Sequence, residues 1–243
     1  MGRLNSTGSS SELNRALFPV GFAGEVMTLI LDVWTHFSLH SQVKKETRIT
    51  AVLKDALIEA YVAAGRRWFV TPEEPITDPE FGTELGRNDL RFYPPKHYGQ
   101  TIFLTVECKR LRVTTDSGFK HLADKYVDDG MQRFVDGQYA SDLPCGGMLG
   151  YVMDNRLDDA FAKVQGEIDT RRSKLKMAAK GSFQTPSSTL PHYRWSADTF
   201  HQRADDKLCL HHLLVGVQTD PPSSTMSTRS TIESKVSGPD CQY

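Results

Sequence analysis

Apolar residues at positions 23, 26, 27, 30, 33, 34 and 37 recur at the spacing of one helix face. A second helix is expected from about 44 to 64, with Ile49, Val52, Leu53, Ala56 and Ala60 as its inward stripe. "RRWFVTPEEP" reads as a short strand stopped by Pro72 and Pro75. Two apolar-patterned runs follow, near 88–93 and 101–110, and the turn-like segment 94–99 between them predicts a hairpin. Phe119, Leu122, Ala123, Tyr126, Val127, Met131 and Phe134 then trace another amphipathic helix that ends near Gly137. "GGMLGYVM", 146–153, has the length and glycine punctuation of a buried central strand. Leu157, Phe161, Val164 and Ile168, with Leu175 one heptad later, mark a further helix, and "KLCLHHLLVGV", 207–217, a last strand.

This order is helix, three strands with a hairpin, helix, strand, helix, strand. It predicts an α/β domain, a mixed β-sheet flanked by helices. The expected organisation is one domain over 13–218. It comprises an N-terminal helix at 23–40, a core at 43–153, and a helix and last strand within 155–218. Residues 1–12, rich in Ser and Gly, and 219–243, rich in Ser, Thr and Pro, lack periodicity and are expected to be disordered.

Composition adds limits. With 243 residues, 39% hydrophobic and 24% charged, the chain can bury one good core and is too short for two large domains. A net charge of −1 leaves any nucleic-acid partner to local patches. The four cysteines, Cys108, Cys145, Cys209 and Cys241, form no C-x-x-C pair and read as reduced thiols of a cytoplasmic protein, not as a disulfide framework or zinc site. The start "MGRLNSTGSSSEL" lacks a basic stretch followed by an apolar one. The most apolar run, "EVMTLILDVW", contains Asp32 and is too short to span a bilayer, so no membrane partner is expected.

The chemistry lies in the hairpin. Alternate residues of a strand share a face, so Phe103, Thr105, Glu107 and Lys109 lie on one side and Ile102, Leu104, Val106 and Cys108 on the other. The second set is the core face, with Cys108 as a small buried residue. The first becomes charged at its end, as a strand does on entering a cleft. If Tyr93 pairs with Thr101, Asp89 lies opposite Thr105 and diagonal to Glu107, within reach of a shared ion. Two carboxylates beside a lysine suit Mg²⁺ or Mn²⁺. Such an ion polarises a phosphate and activates water, while the lysine orients that water and offsets developing charge.

Asp89, followed by Glu107-Cys108-Lys109 at the end of the next strand, resembles the signature of the PD-(D/E)XK nucleases, the restriction-endonuclease-like enzymes. Asn88 stands where the motif name has Pro, a departure common in that family. The resemblance covers roughly 43–153 and extends to the family's core order of helix, three strands, helix and strand. It implies a restriction-endonuclease-like fold and a metal-dependent endonuclease that hydrolyses DNA more readily than RNA, in phage defence or restriction. It implies Asp89, Glu107 and Lys109 as catalytic residues and Asp89 and Glu107 as metal ligands. Glu46, on the first core helix, matches the acid that completes the metal site in many members. Gln132 and Arg133 match the helix where the family often has a polar residue near the scissile phosphate.

Each has a plainer alternative. Glu107 and Lys109 make a surface ion pair, Asp89 caps a turn, Glu46 favours a helix N-terminus, and Gln132 and Arg133 face solvent. Within 163–180, Lys163, Arg171, Arg172, Lys174, Lys176 and Lys180 outnumber Glu167 and Asp169, which suits phosphate contact as well as a solvated helix face. His36 with His40, and His211 with His212, lack the context of a zinc motif, and no metal is assigned to them. Phosphate-loop and G-x-S-x-G signatures are absent, which disfavours ATPases and serine hydrolases. The rival reading is an inactive nuclease fold that binds nucleic acid or serves as a subunit of a defence complex. A partner protein and a homodimer both stay open.

Overall fold

Three helices open the chain: α1 (Ser10–Leu17), α2 (Phe22–Thr35) and α3 (Glu46–Ala63). β1 (Phe69–Thr77), β2 (Glu84–Tyr93) and β3 (Leu104–Leu111) follow, then a small hairpin of β4 (Val113–Thr115) and β5 (Gly118–Lys120). Next, α4 (Ala123–Tyr126), a π-helical turn (Val127–Met131) and α5 (Gln132–Val135) run on as one helix. β6 (Cys145–Val152), α6 (Leu157–Thr170), β7 (Ser196–Arg203) and β8 (Asp206–Gly216) complete the fold. The computed structural model describes residues 10–37, 39, 43–65, 69–77, 84–95, 101–178, 183–203 and 206–218.

The six long strands form one sheet in the order β1-β2-β3-β6-β8-β7. β3, β6 and β8 run parallel, while β1, β2 and β7 join antiparallel at the two sides. The expected mixed sheet flanked by helices is therefore present. Period-two alternation divides it into two cores. Leu90, Phe92, Leu104, Val106, Leu149, Tyr151, Leu213 and Val215 pack under α2 and α3, against Val26, Met27, Ile30, Ile49, Leu53 and Leu57. Met148, Val152, Leu210 and Leu214 pack on the other side, against Tyr126, Met131, Phe134, Val164 and Ile168. Each such buried side chain contributes about 1.5–3 kcal/mol, so two filled layers rather than local propensity hold the elements.

β6 is buried along its whole length, and its glycines are there for space. A Cβ on Gly146 would fall 2.4 Å from Cε1 of Phe134, and one on Gly147 would fall 2.8 Å from Cγ2 of Val106. The helix above has a related adjustment. Its buried residues Tyr126, Val127, Gly130, Met131, Phe134 and Val135 recur every four positions, a longer repeat than the 3.6 of an α-helix. The π-helical turn absorbs the difference and keeps both halves on the sheet.

Several expectations need correction. Pro72 and Pro75 do not stop β1, which continues to Thr77 as an edge strand paired only to β2. An edge leaves room for missing amide donors. Phe119 belongs to β5 and is 46% exposed, and the next helix begins only at Ala123. Gly118 at φ 112° opens β5, and Leu122 at φ 59° just before the helix breaks the helical pattern between them. Residues 10–12 are helical: Glu12 favours the α1 N-terminus, and Leu17 packs against the second core. α6 ends at Thr170, and Leu175 is buried in the turns beyond it. β7 was not expected at all. His40, Lys180 and the segment 219–243 lie outside the described residues. Among those described, no helix is long and apolar enough to cross a membrane.

Candidate functional site

The β2–β3 ladder pairs Leu90 with Val106, Arg91 with Thr105 and Phe92 with Leu104. The expected register put Asp89 opposite Thr105, so the true one is displaced by two residues. An even displacement keeps every side chain on its face. Continued along the strands, it brings Asp89 level with Glu107 rather than diagonal to it. Cys108 is fully buried with Leu104 and Val106 under α2 and α3, as expected, and Glu107 and Lys109 take the opposite face; Ile102, expected on the Cys108 face, precedes β3 and packs in the second core.

Beyond Leu90–Val106 the two strands part, and the amides at the end of β3 need other acceptors. Carboxylates supply them. Oδ2 of Asp89 accepts from the Cys108 amide at 2.7 Å. Oε2 of Glu46, the first residue of α3, accepts from the Arg110 amide at 2.7 Å. Lys109 lies between these two anchors. Its ammonium donates to Oε1 of Glu107 at 2.6 Å and to the Cys108 carbonyl at 3.1 Å, and stands 3.5 Å from Oε1 of Glu46. α5 adds Arg133, whose guanidinium lies 3.4 Å from Oε1 of Glu107 and donates to the Tyr139 hydroxyl at 2.5 Å. Side chains from β2, β3, α3 and α5 thus meet at one point.

Burial and mutual charge set the electrostatics of this cluster. Glu107 is 1% exposed, and burial, reinforced by the charge of Asp89, pushes its carboxyl up to about 8. Burial also raises Asp89 against the pull of Lys109. For Lys109, burial works against the charge, but Glu107, Glu46 and Asp89 outweigh it and hold the ammonium protonated. Taking such groups out of water costs several kcal/mol per ion, which their mutual attraction and hydrogen bonds have to offset. Buried carboxylates crowded this way make the cluster a candidate reactive site.

Oε2 of Glu107 is buried and, among the described residues, accepts from no N–H or O–H donor; the carboxyl beside it is that of Asp89. An orphaned carboxylate oxygen beside a second carboxylate fits a hard divalent cation, with Asp89 and Glu107 as ligands and Glu46 close by. A cavity of about 350 Å³ adjoins this cluster through Tyr139 and is also lined by Arg91 and Phe103. The Arg91 guanidinium lies 4.2 Å over the Phe103 ring.

The remaining candidates lie elsewhere or are engaged. Gln132 donates to Asp136 of its own helix at 2.8 Å, while its Oε1 is buried without a partner. Arg171 grips both carboxylate oxygens of Asp128 at 3.1 Å and pairs with Glu167; Lys174 reaches Asp128 at 2.8 Å. Arg172 pairs with Asp169 at 3.5 Å. Asp128 arrives from the π-helical turn, so the sequence-local excess of positive charge is offset in space. Tyr126 is a core residue that bonds His212 at 2.9 Å.

Tyr139 was missed. The only signal was a tyrosine following Arg133 by six residues, across Gly137 at the helix end, a spacing that no helical or strand period would single out. The cluster of Asp198, Cys209 and His211 was also missed, because Asp198 comes from the unexpected β7. Against protein-family models, curated proteins and solved structures, the chain matches none.

Proposed function

We propose that the chain is a divalent-metal-dependent endonuclease with a restriction-endonuclease-like core, hydrolysing DNA phosphodiester bonds. The observation that carries this reading is the meeting of Asp89, Glu107, Lys109 and Glu46 around one buried carboxylate oxygen that no N–H or O–H donor of the described residues reaches. The order α3, β1, β2, β3, helix, β6 agrees with it. Asp89 and Glu107 would hold Mg²⁺ or Mn²⁺, with Glu46 completing the set. A bound ion of this kind polarises a phosphate oxygen and acidifies a water.

The chain's own residues do the rest. Lys109, fixed by Glu107 and the Cys108 carbonyl, presents a compact charge that orients the attacking water and offsets charge developing on phosphorus. Arg133, held by Tyr139, offers a second cation to a phosphate oxygen. The adjoining cavity, lined by Arg91 and Phe103, places a further guanidinium beside the site.

The test is cleavage of plasmid, linear and single-stranded DNA, with RNA in parallel, by purified protein in Mg²⁺ or Mn²⁺. Cutting should stop with EDTA and with Asp89→Asn. DNA left intact under all these conditions, or cut equally by wild type and Asp89→Asn, would sink the proposal.

A further inference from the structure

We propose a second metal site, for zinc or a similar borderline-soft divalent cation, on the opposite face of the sheet from Glu107, with Asp198, Cys209 and His211 as its protein ligands. β7 pairs with β8 so that Asp198 lies directly opposite His211, and Cys209 is two residues before His211. Both relations force the three side chains onto one face. Their donor atoms all lie within 4.8 Å of one another. Nδ1 of His211 is 2.8 Å from Oδ1 of Asp198 and 3.9 Å from Sγ of Cys209.

Tetrahedral zinc, with bonds of about 2.3 Å to sulfur and 2.0–2.2 Å to nitrogen and oxygen, needs roughly 3.5 Å between its S and N ligands and 3.4 Å between N and O. The observed separations bracket these by about half an ångström, a shift that side-chain torsions supply. A thiolate, an imidazole and a carboxylate select zinc over Mg²⁺ and Ca²⁺. The supporting shell is in place: the Ser188 amide donates to Oδ2 of Asp198 at 2.8 Å, and the Ser187 hydroxyl donates to Oδ1. A cavity of about 420 Å³, lined by Phe18, Gly21, Gly24, Cys145, Thr189 and His211, opens on the site. The fourth ligand is therefore a water or a small molecule from that cavity, with Cys145 at its rim and outside the ligand set. Loading would also tie edge strand β7 to β8.

Cobalt is the probe. Full-length protein stripped by a chelator should take up one Co²⁺ with a single thiolate-to-cobalt charge-transfer band and tetrahedral visible absorption, and Zn²⁺ should displace it. Cys209→Ser should abolish the charge-transfer band. Cys145→Ser and Glu107→Gln should leave it, the latter separating this site from the proposed magnesium site. Zn²⁺ should raise the melting temperature of wild type and not that of Cys209→Ser. Wild-type protein without the band at stoichiometric cobalt overturns the site, as does a band that survives Cys209→Ser or disappears with Cys145→Ser.

Discussion

Lys109 carries more of the proposed chemistry than any other single residue, and its surroundings say what its loss would do. Among the described residues it is the cation closest to Glu107, at 2.6 Å against 3.4 Å for Arg133. Lys109→Ala should cut single-turnover cleavage by about a hundredfold or more, the scale of losing one positioned donor to developing charge. Fold should persist, because Asp89 and Glu46 still hold the β3 backbone through the Cys108 and Arg110 amides, and Glu107 without its lysine can keep its proton. Matching far-ultraviolet dichroism with undiminished cleavage would refute the role given to it. At this scale the sequence was informative where parity alone decides. Glu107 and Lys109 against Cys108 follow from a period of two, and an even error in register left that intact. The level of Asp89 along β3 was not legible, because it depends on the turn joining the strands, whose segment 96–100 lies outside the described residues.

Among elements, β7 was hidden because its inward residues are polar. Thr199 and His201 are buried, and so is His212 of β8. They form one chain of hydrogen bonds. Nδ1 of His201 donates to the Leu175 carbonyl at 2.7 Å, and the Thr199 hydroxyl donates to Nε2 of His201 at 2.8 Å. Nε2 of His212 donates to Thr199 at 2.8 Å, and Tyr126 donates to Nδ1 of His212 at 2.9 Å. Both rings are neutral in this arrangement, and burial lowers His201 to about 4 and His212 to about 3. The unfolded chain binds their protons near pH 6.5, so stability falls as pH drops from there towards 4. Glu107, raised to about 8, acts in the opposite sense: between about 4.5 and 8 the native state keeps a proton that the unfolded chain has lost. Asp89, also raised by burial, acts in the same sense, so the double variant Asp89→Asn/Glu107→Gln removes that opposition. Its urea midpoint should therefore drop between pH 6.5 and 5, at about 1.4 kcal/mol per unit for each histidine. Equal midpoints at both pH values would show that the rings are not held neutral. β6 supplies a second prediction at this scale. Gly146→Ala should destabilise by about 1–3 kcal/mol in denaturant melts, since the new methyl meets the Phe134 ring.

At the scale of the molecule, the order of elements was legible from periodicity, and the order of strands was not. Nothing local tells a chain that β8 lies beside β6 with β7 outside it, or that β1 forms an edge. Charge shows the same division. The basic run at 163–180 is an excess in sequence, but Asp128, brought from the far side of a loop and a strand, takes both Arg171 and Lys174. Replacing Arg171, Arg172 and Lys174 by neutral residues should therefore leave the salt dependence of DNA binding unchanged in metal-free buffer. A slope reduced by two or three counterions would instead make this segment part of the nucleic-acid surface. The same triple variant should melt earlier, because Asp128 loses its partners.

The π-helical turn makes the length of one helix as consequential as its composition. An α-helix turns by about 100° per residue, so the residue held in the wide turn sets the phase between its two halves. The leading half is keyed to β8 through Tyr126 and His212; the trailing half is keyed to β6 through Phe134 at Gly146, and to Glu107 through Arg133. Deleting any one residue from 127–131 would bring the two halves into a single regular spiral, and only one of them would then find its lock. The segment acts as a vernier between two gratings of different pitch. Substitutions along it are graded in effect, whereas a shift of one place sets the proposed active site against the core.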